Sequence, residues 1–164
     1  GSIGYGIATA YAKEGANLVI TGRNKQKLAD AKEELERLYN IEVLPVQADV
    51  SAGADNETVV RNVIDETIAK FGRIDVLINN AQASASGVAA NEWGPDGINA
   101  NIICPLAWTA QLENFQQAYP EAFEANVKMP PAGHYGDVEK EIGRVCVQLA
   151  SPDFKYMNGE THLP

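Results

Sequence analysis

The chain has 164 residues, of which 45% are hydrophobic and 21% charged, and its formal net charge at pH 7 is −9. A chain of this length supports one hydrophobic core, so we expect a single domain over residues 1–164. The acidic balance, with no run of Lys or Arg, argues against a nucleic-acid partner. Since no stretch approaches 18 apolar residues and no basic-then-apolar leader opens the sequence, we expect neither a membrane span nor a signal peptide.

Cysteine and histidine are sparse. Cys104 and Cys146 lie in apolar contexts and show no CxxC or His-spaced pattern, which is typical of buried free thiols in a reducing compartment and favours a cytoplasmic protein. His134 and His162 have no partner at metal-ligand spacing, so we predict no metal site and expect two surface or loop histidines.

Helices and strands alternate through the first half of the chain. Apolar residues at helical spacing begin near Ile7 and end at Gly15, and the run NLVIT (17–21) predicts a buried strand. Asn24 is placed to cap a helix from Lys25 to about Tyr39, and EVLPVQ predicts the next strand. A helix over 54–71 then leads to a strand at 74–78. The apolar residues expected on the inner face of that helix are Val59, Val60, Val63, Ile64, Thr67 and Ile68.

The second half continues the alternation. It predicts a strand at about 98–104, a polar helix at about 111–127, a Pro-rich loop at 129–133, a helix over 138–150 and a last strand near 160–163. Short loops between alternating strands and helices are typical of an α/β fold with a parallel sheet covered by helices on both faces.

The opening residues, Gly1-Ser2-Ile3-Gly4-Tyr5-Gly6, are rich in glycine and lead directly into a helix. Backbone amides at such a helix N-terminus can receive a pyrophosphate. Glycines before a helix are also typical of a plain turn, so these residues alone leave both interpretations open.

The order of several segments is more specific. GSIGYGIATAYAKEGANLVITGRN, QADVS, FGRIDVLINNA, EWGPDGINANIICP and GETHL follow one another, and this order resembles the short-chain dehydrogenase/reductase family over most of the chain. The resemblance implies a Rossmann-type doubly wound parallel sheet, incomplete in this chain, that binds NAD(H) or NADP(H). It also implies hydride transfer between the nicotinamide and a carbonyl or alcohol substrate, and a homo-oligomer.

The same resemblance suggests cofactor-binding positions. Gly4 matches the last glycine of the family's phosphate turn, and Ser2 stands where a glycine is usual. Gln82 and Leu106 also replace family glycines. The candidate cofactor-binding residues are Ser2, Ile3 and Gly4 in the turn, Arg23, Asp49 and Val50 near the adenosine, Asn80 and Ala81 beneath the ribose, and Pro105 and Thr109 at the nicotinamide end.

Gly22 and Arg23 bear on the choice of cofactor. Gly22 occupies the position at which family members that use NAD carry an acidic residue for the ribose hydroxyls. Without a carboxylate to repel a 2′-phosphate, and with a guanidinium able to bind it bidentately, the pair favours NADP over NAD. The alternative is that Arg23 is an ordinary surface arginine.

The family's catalytic residues have no match. Its mechanism uses a Tyr with a Lys four residues later, together with a Ser that polarises the carbonyl. None of the six tyrosines is followed by Lys at that spacing, and Ser84 and Ser86 follow Asn79-Asn80-Ala81 too closely. We therefore assign no catalytic residue.

A missing segment near residues 83–90 explains this absence. In the family, a helix, a strand and a long catalytic helix separate Asn-Asn-Ala from the segment before Gly94-Pro95. At ordinary element lengths, about 45 residues or more are absent. The resemblance also implies a strand before the opening glycines, which we expect to be missing from this chain. A parallel sheet without interior strands leaves unpaired backbone groups that cost about 1–3 kcal/mol each when buried.

Residues 109–136, rich in Gln, Glu, Phe and Tyr, are expected to form a substrate lobe that covers the nicotinamide end. Trp108 is interpreted either as a wall of the substrate pocket or as core packing. Three alternatives to a carbonyl reductase or alcohol dehydrogenase stay open. They are a catalytically inactive dinucleotide-binding or scaffolding protein, an enoyl-thioester reductase of the same superfamily, and a structural fragment without a ligand.

Overall fold

The computed structural model describes residues 2–49, 53–80 and 86–162. The chain divides into two compact units. The N-terminal unit is Tyr11–Ala81, and the C-terminal unit combines Gly1–Ala10 with Gln82–Pro164. A single domain over the whole chain stays a prediction. In the described part of the chain, no helix has both the length and the apolar character needed to cross a membrane.

Helices dominate the described residues. The α-helices are α1 (Ile3–Lys13), α2 (Lys25–Leu38), α3 (Asn56–Phe71), α4 (Ser86–Trp93), α5 (Ala110–Ala118), α6 (Pro120–Asn126) and α7 (Arg144–Leu149). The strands are β1 (Leu18–Gly22), β2 (Val43–Gln47), β3 (Ile102–Ile103) and β4 (Thr161–His162). Short 3-10 turns occupy Gly53–Asp55, Gly94–Asp96 and Pro152–Phe154, and a π-helical turn, Val138–Gly143, precedes α7.

The core of the N-terminal unit lies between α2 and a two-stranded parallel sheet. Strands β1 and β2 pair in register from Leu18 opposite Val43 to Gly22 opposite Gln47. The side-chain oxygen of Asn24 accepts a 2.9 Å hydrogen bond from the Lys27 amide, which confirms the predicted helix cap. The side chains that α2 and the sheet bury include Leu28, Leu35, Val43 and Val46.

The predicted strand at 74–78 is not formed. These residues lie in a segment without strand pairing, and Ile74, Val76, Leu77 and Ile78 are all exposed. A β-strand requires a neighbour to take its backbone hydrogen bonds, and none of the described residues pairs with this segment. The prediction was therefore wrong for the chain as it stands.

The apolar face of α3 is also uncovered. Thr67 is buried and donates a 2.6 Å hydrogen bond to the Val63 carbonyl, whereas Val60, Ile64 and Ile68 are exposed. The expectation that this whole row faces inward is wrong, because helical periodicity predicts an apolar face but not the presence of a surface to cover it.

The C-terminal unit has a second, shorter parallel sheet. Ile102 pairs with Thr161 and Ile103 with His162, so each predicted strand shrinks to two residues. Two asparagine side chains form hydrogen bonds between the segments that precede β3 and β4. Asn99 Nδ2 donates to the Lys155 carbonyl at 2.6 Å, and Asn101 Oδ1 accepts from the Glu160 amide at 3.1 Å.

Two predicted helices of this unit are divided. The stretch 111–127 becomes α5 and α6 because Pro120 has no backbone N–H for a continuing helix and instead starts the second one. The stretch 138–150 begins with the π-helical turn and continues as α7.

Two glycines let α1 contact the π-helical turn directly. A Cβ at Gly6 would lie 2.3 Å from the Val138 carbonyl oxygen, and one at Gly143 would lie 2.8 Å from the Ala10 Cβ. No larger residue fits at either position without a shift of backbone.

The α/β class is confirmed, because every strand pair in the described residues is parallel and helices connect the strands. The described residues hold two separate two-stranded sheets instead of one wide sheet. This division agrees with the expectation of an incomplete sheet.

Candidate functional site

The carboxyl ends of β1 and β2 bring two predicted site residues to one edge of the N-terminal sheet. Gly22 and Gln47 are the last paired residues of the two strands, so Arg23 and Asp49 both follow at the same edge. Gln47 Nε2 donates to the Arg23 carbonyl at 3.0 Å, and the Ala48 amide donates to the Gly22 carbonyl at 2.9 Å. These bonds order the backbone that carries the exposed Arg23 and Asp49 side chains.

Gly22 has room for a side chain. A Cβ there would meet only the Leu28 side chain, at 3.5 and 3.8 Å, which is ordinary van der Waals contact. The absence of a carboxylate at position 22 therefore does not follow from a lack of space.

Asn80 is exposed at the end of the segment that follows α3. Its amide donates to the Ile78 carbonyl at 3.2 Å, which is a local turn and not a strand end. Two further candidates, Val50 and Ala81, lie outside the described residues.

Ser2 caps α1. Its hydroxyl oxygen accepts a 3.2 Å hydrogen bond from the Tyr5 amide, and its carbonyl accepts from the Gly6 amide at 3.0 Å. The first-turn amides of a helix point along its axis beyond the N-terminus, where they can bind an anion. The Ser2 hydroxyl already accepts from one of these amides, while Ile3 and Gly4 form the first turn of the helix.

A groove in the C-terminal unit brings three of the predicted residues together. It is a shallow depression, largely open to solvent, with a volume of about 430 Å³. Ile3, Pro105 and Thr109 all line it. Because Ile3 is about 100 residues from the other two in sequence, their proximity could not be predicted from spacing. The other lining residues are Leu106, Ala107, Gln111, Leu112, Phe115 and Tyr135.

Polar groups are few along this groove. The Thr109 hydroxyl accepts a 3.3 Å hydrogen bond from the Leu112 amide and so caps α5. Besides Thr109, the polar side-chain groups of the lining are the Gln111 amide and the Tyr135 hydroxyl. The groove therefore favours an apolar ligand surface over a heavily hydroxylated one.

Trp108 belongs to an aromatic cluster beside the groove. Its ring meets Phe123 edge-on, with centroids 6.3 Å apart, and Tyr135 at 6.2 Å. Phe115 lies 6.2 Å from Phe123. Trp108 is 37% exposed and is not among the residues that line the groove, so neither interpretation of it is decided. The rings connect the groove residues Phe115 and Tyr135.

The lobe of residues 109–136 is closed at its base. The Trp108 amide donates to the Gly136 carbonyl at 2.9 Å, and the Gly136 amide donates to the Leu106 carbonyl at 2.8 Å. These two bonds form a parallel bridge between the residues just before the lobe and its last residue. Its role as a cover stays a prediction.

His134, near the C-terminal end of the lobe, contacts Glu141, which follows the lobe in sequence. His134 Nε2 lies 2.9 Å from Glu141 Oε1, and Nδ1 lies 3.2 Å from the Ala132 carbonyl. Hydrogen bonding to Glu141 and then to Ala132 raises the pKa of His134 above 6.5. The Asp137 amide, and then His134, lower the pKa of Glu141.

Sequence reasoning missed the groove residues of the lobe. Leu112, Phe115 and Tyr135 lie in a stretch that the sequence characterised only as polar and aromatic. The signal that was present is the recurrence of rings at 115, 119 and 123, close to helical spacing, which indicates one apolar face.

The chain is similar to known oxidoreductases over nearly its whole length. Residues 1–89 match the family model for short chain dehydrogenases, and residues 81–163 match one described as Enoyl-(Acyl carrier protein) reductase. A 12alpha-hydroxysteroid dehydrogenase from a Clostridium species is 48% identical over 230 residues, covering 98% of this chain and 89% of that protein.

Solved structures agree with the fold. An L-sorbose reductase from Gluconobacter frateurii, complexed with NADPH and L-sorbose, has a TM-score of 0.83 at 18% identity, covering 99% of this chain and 90% of that one. A short chain dehydrogenase from Bacillus anthracis has a TM-score of 0.68 at 28% identity, with coverage of 99% and 90%. These likenesses confirm the Rossmann-type fold.

The alignment with the Clostridium protein is longer than this chain. It extends over 230 residues, whereas the chain has 164 in all. The relative therefore carries residues, within the aligned span, that face no residue here. Part of the range predicted for the junction, residues 83–85, lies outside the described part of the chain, and its position stays a prediction.

Proposed function

The chain belongs to the short-chain dehydrogenase/reductase family of oxidoreductases, and we propose that its parent is an NADP-dependent enzyme that interconverts an alcohol and a carbonyl. The observation that carries this proposal is the 48% identity to a 12alpha-hydroxysteroid dehydrogenase, which covers 98% of the chain. Bound NADP would accept or supply the hydride.

A hydroxysteroid or its ketone is the proposed substrate class. The identity to the Clostridium protein supports it, and so does the groove, whose lining is mostly apolar. A fused ring system buries apolar area without leaving many hydroxyls unpaired, whereas a sugar in this groove would lose hydrogen bonds to water.

The residues of the N-terminal sheet edge support NADP. Arg23 is exposed just beyond β1, where its guanidinium is able to pair with a 2′-phosphate. Gly22 beside it presents no carboxylate that would repel this group. Asp49, at the end of β2, is proposed to accept a hydrogen bond from the adenine amine.

The C-terminal unit supplies the other proposed cofactor contacts. The N-terminus of α1, with Ile3 and Gly4 in its first turn, offers amides and a positive dipole end to a pyrophosphate. Pro105 and Thr109 line the groove that Ile3 also reaches. We propose Asn80, with Val50 and Ala81, as further contacts of the adenosine.

Proton supply is the step that this chain lacks. Hydride delivery to a carbonyl leaves an alkoxide, which needs a positioned acid. No tyrosine of the sequence has a lysine four residues later. We therefore propose that the segment present in the Clostridium protein and absent here carries the acid, and that the 164-residue chain by itself is a binder without turnover.

An enoyl-thioester reductase is the second candidate. The match of residues 81–163 to a model described as Enoyl-(Acyl carrier protein) reductase favours it. The hydroxysteroid dehydrogenase identity extends over both halves of the chain and favours carbonyl chemistry more strongly.

A chimera tests the proposal. The 164-residue chain is compared with a version in which the extra residues of the Clostridium protein are inserted between Asn80 and Ser86. We expect NADPH binding by both in fluorescence titration, and NADPH oxidation with a 12-oxosteroid by the chimera alone.

Three other results would each contradict part of the proposal. Turnover of the 12-oxosteroid by the unmodified chain would contradict the proposal that the acid lies in a segment absent from this chain. Turnover of an enoyl thioester in place of the ketosteroid would favour the second candidate. A chimera that folds and binds no NADPH would refute the cofactor assignment.

A further inference from the structure

The last residues of the lobe are tied to their neighbours on both sides. Gly136 is held by the two backbone bonds to Leu106 and Trp108, and the Glu141 carboxylate accepts the Asp137 amide at 2.7 Å. Before them, the Gly133 amide donates to the Pro130 carbonyl at 2.9 Å, and Gly133 has a φ of +79°. Such a turn sets the direction in which the chain enters this segment.

Tyr135 lies inside this tied segment and is half-buried along the groove. Its hydroxyl donates to the Lys128 carbonyl at 2.8 Å. Because the polar end of the side chain already has a partner, the contribution of Tyr135 to the groove is its ring. Its edge-on contact with Trp108 fixes the tilt of that ring.

His134 faces an acceptor at each ring nitrogen. Nδ1 meets the Ala132 carbonyl oxygen and Nε2 meets Glu141 Oε1. A neutral imidazole has one N–H and satisfies one of these acceptors, whereas the imidazolium donates to both. The charged groups that act on this pair are Glu141 itself and Asp137, whose charge acts on Glu141.

We propose that Tyr135 is a specificity-determining residue, whose ring forms the groove wall against a flat apolar substrate, and that His134 and Glu141 position it. This inference rests on the proposed hydroxysteroid substrate. The ring of Tyr135 lies against one face of the steroid, and Phe115 and Leu112 provide other apolar surface of the same groove.

Protonation of His134 controls how firmly the Tyr135 ring is held in the groove wall. Below about pH 6.5 both ring nitrogens donate, so the residue before Tyr135 is held to Ala132 and to Glu141 together. As the pH rises through the raised pKa of His134, one of these bonds is lost and Tyr135 is held less firmly. Steroid affinity is therefore highest in mildly acidic solution.

The first test removes the ring. Binding of a 12α-hydroxysteroid to the 164-residue chain is followed by the fluorescence of Trp108, in a Trp93→Phe background that leaves one indole. We expect Tyr135→Ala to weaken binding about tenfold or more, and Tyr135→Phe, which keeps the ring, about two- to threefold. The fully exposed Tyr156 serves as the matched control, and Tyr156→Ala should bind as the parent does.

Unchanged steroid affinity in Tyr135→Ala, or no steroid binding by the parent chain, would overturn the proposal. If Tyr135→Ala loses its thermal transition, Tyr135→Phe decides the matter, since a Phe variant that binds tenfold more weakly would show that the hydroxyl and not the ring matters.

The second test follows pH. In the parent chain the dissociation constant of the steroid should rise about two- to fivefold between about pH 5.5 and about pH 9, the range expected of an exposed ion pair. His134→Gln should show the weaker, alkaline value throughout, and so should Glu141→Gln. A His134→Gln chain that keeps the parent's pH dependence would refute the positioning role.

Failure of the proposed function gives a different result. A titration of every variant with NADPH reports the proposed cofactor contacts, of which Ile3, Pro105 and Thr109 also line the groove, while Arg23 and Asp49 do not. Loss of NADPH binding with steroid binding intact would reject the NADP-dependent assignment and support the role of Tyr135. Intact NADPH binding with no steroid binding would overturn the role of Tyr135 instead.

Discussion

Two apolar runs of similar composition have different structures in this protein. Leu18–Gly22 forms a strand that pairs with Val43–Gln47 beneath α2, whereas residues 74–78, with the sequence IDVLI, stay unpaired and exposed. Both runs are apolar enough for a buried strand. The difference is that β1 has a neighbour in the chain to accept its hydrogen bonds, and 74–78 has none among the described residues.

The same contrast applies to the two longer helices of the N-terminal unit. Helix α2 buries Leu28 and Leu35 against the sheet, while α3 leaves Ile64 and Ile68 exposed. Burial of an apolar face requires a partner surface of matching size, so an amphipathic pattern alone does not decide whether a helix contributes to the core.

The largest expected effect compares those two helices. Leu35→Ala should destabilise the chain by about 2–5 kcal/mol, because a fully buried side chain is lost and a cavity remains. Ile64→Ala, at a position 44% exposed, should change the free energy of unfolding by no more than about 0.5 kcal/mol. Urea denaturation measures both. Equal losses in the two variants would mean that α3 has a covered face in solution.

The next comparison uses the close contact of α1 with the π-helical turn. Gly6→Ala should cost about 1–3 kcal/mol, since its Cβ would meet the Val138 carbonyl oxygen at 2.3 Å. Gly22→Ala is the matched control, because its Cβ meets the Leu28 side chain at 3.5 Å. Thermal unfolding of both reports the difference, and a Gly6→Ala chain as stable as the control would show that α1 moves freely against the turn.

The sheet edge after β1 can be altered without a steric cost. In the active chimera, Gly22→Asp combined with Arg23→Gln should shift the ratio of kcat/KM for NADPH over NADH by about tenfold toward NADH, since a carboxylate repels the 2′-phosphate. Gly22→Ala with Arg23 retained controls for the added Cβ. An unchanged ratio in the double variant would remove Gly22 and Arg23 from the cofactor argument.

The smallest effect concerns the carboxylate that joins α2 to β2. Glu36 Oε1 accepts from Lys32 Nζ and from the Val43 amide at 2.9 Å, and these bonds, Lys32 first, lower the pKa of Glu36 below 4.5. Its stabilisation is present above pH 4.5 and disappears as the pH falls through the lowered value.

Glu36→Gln should therefore lower the unfolding temperature at neutral pH and have less effect near about pH 3. Differential scanning calorimetry at the two pH values checks this, with the exposed Glu33→Gln of the same helix as control. A loss that is equal at both pH values would assign the effect of Glu36→Gln to packing and not to its charge.

Local signals predicted most of the N-terminal unit. The cap at Asn24 and the existence of the strand before Gly22 were correct, because each depends on contacts within a few turns or on one neighbouring strand. The burial predicted there was correct only in part: α2 buries Leu28 and Leu35 but leaves Leu38 51% exposed, and β1, predicted as a buried strand, is only partly buried. Such interactions are set by periodicity and by hydrogen-bonding capacity, which single residues carry with them.

The groove was predicted only in part. Ile3, Pro105 and Thr109 all came from a family resemblance, as cofactor contacts, but nothing in their spacing showed that they share one surface with Tyr135. The role of the Thr109 hydroxyl as a helix cap also became clear only from its bond to the Leu112 amide.

By itself the sequence determined the α/β class, the parallel character of its sheet, and the family, since these depend on residue order and on local periodicity. Tertiary structure alone decided that 74–78 stays unpaired, that α3 is uncovered, and that Tyr135 reaches the groove held by His134 and Glu141. The physical reason is that pairing, burial and positioning are properties of two surfaces at once, and a sequence pattern describes only one of them.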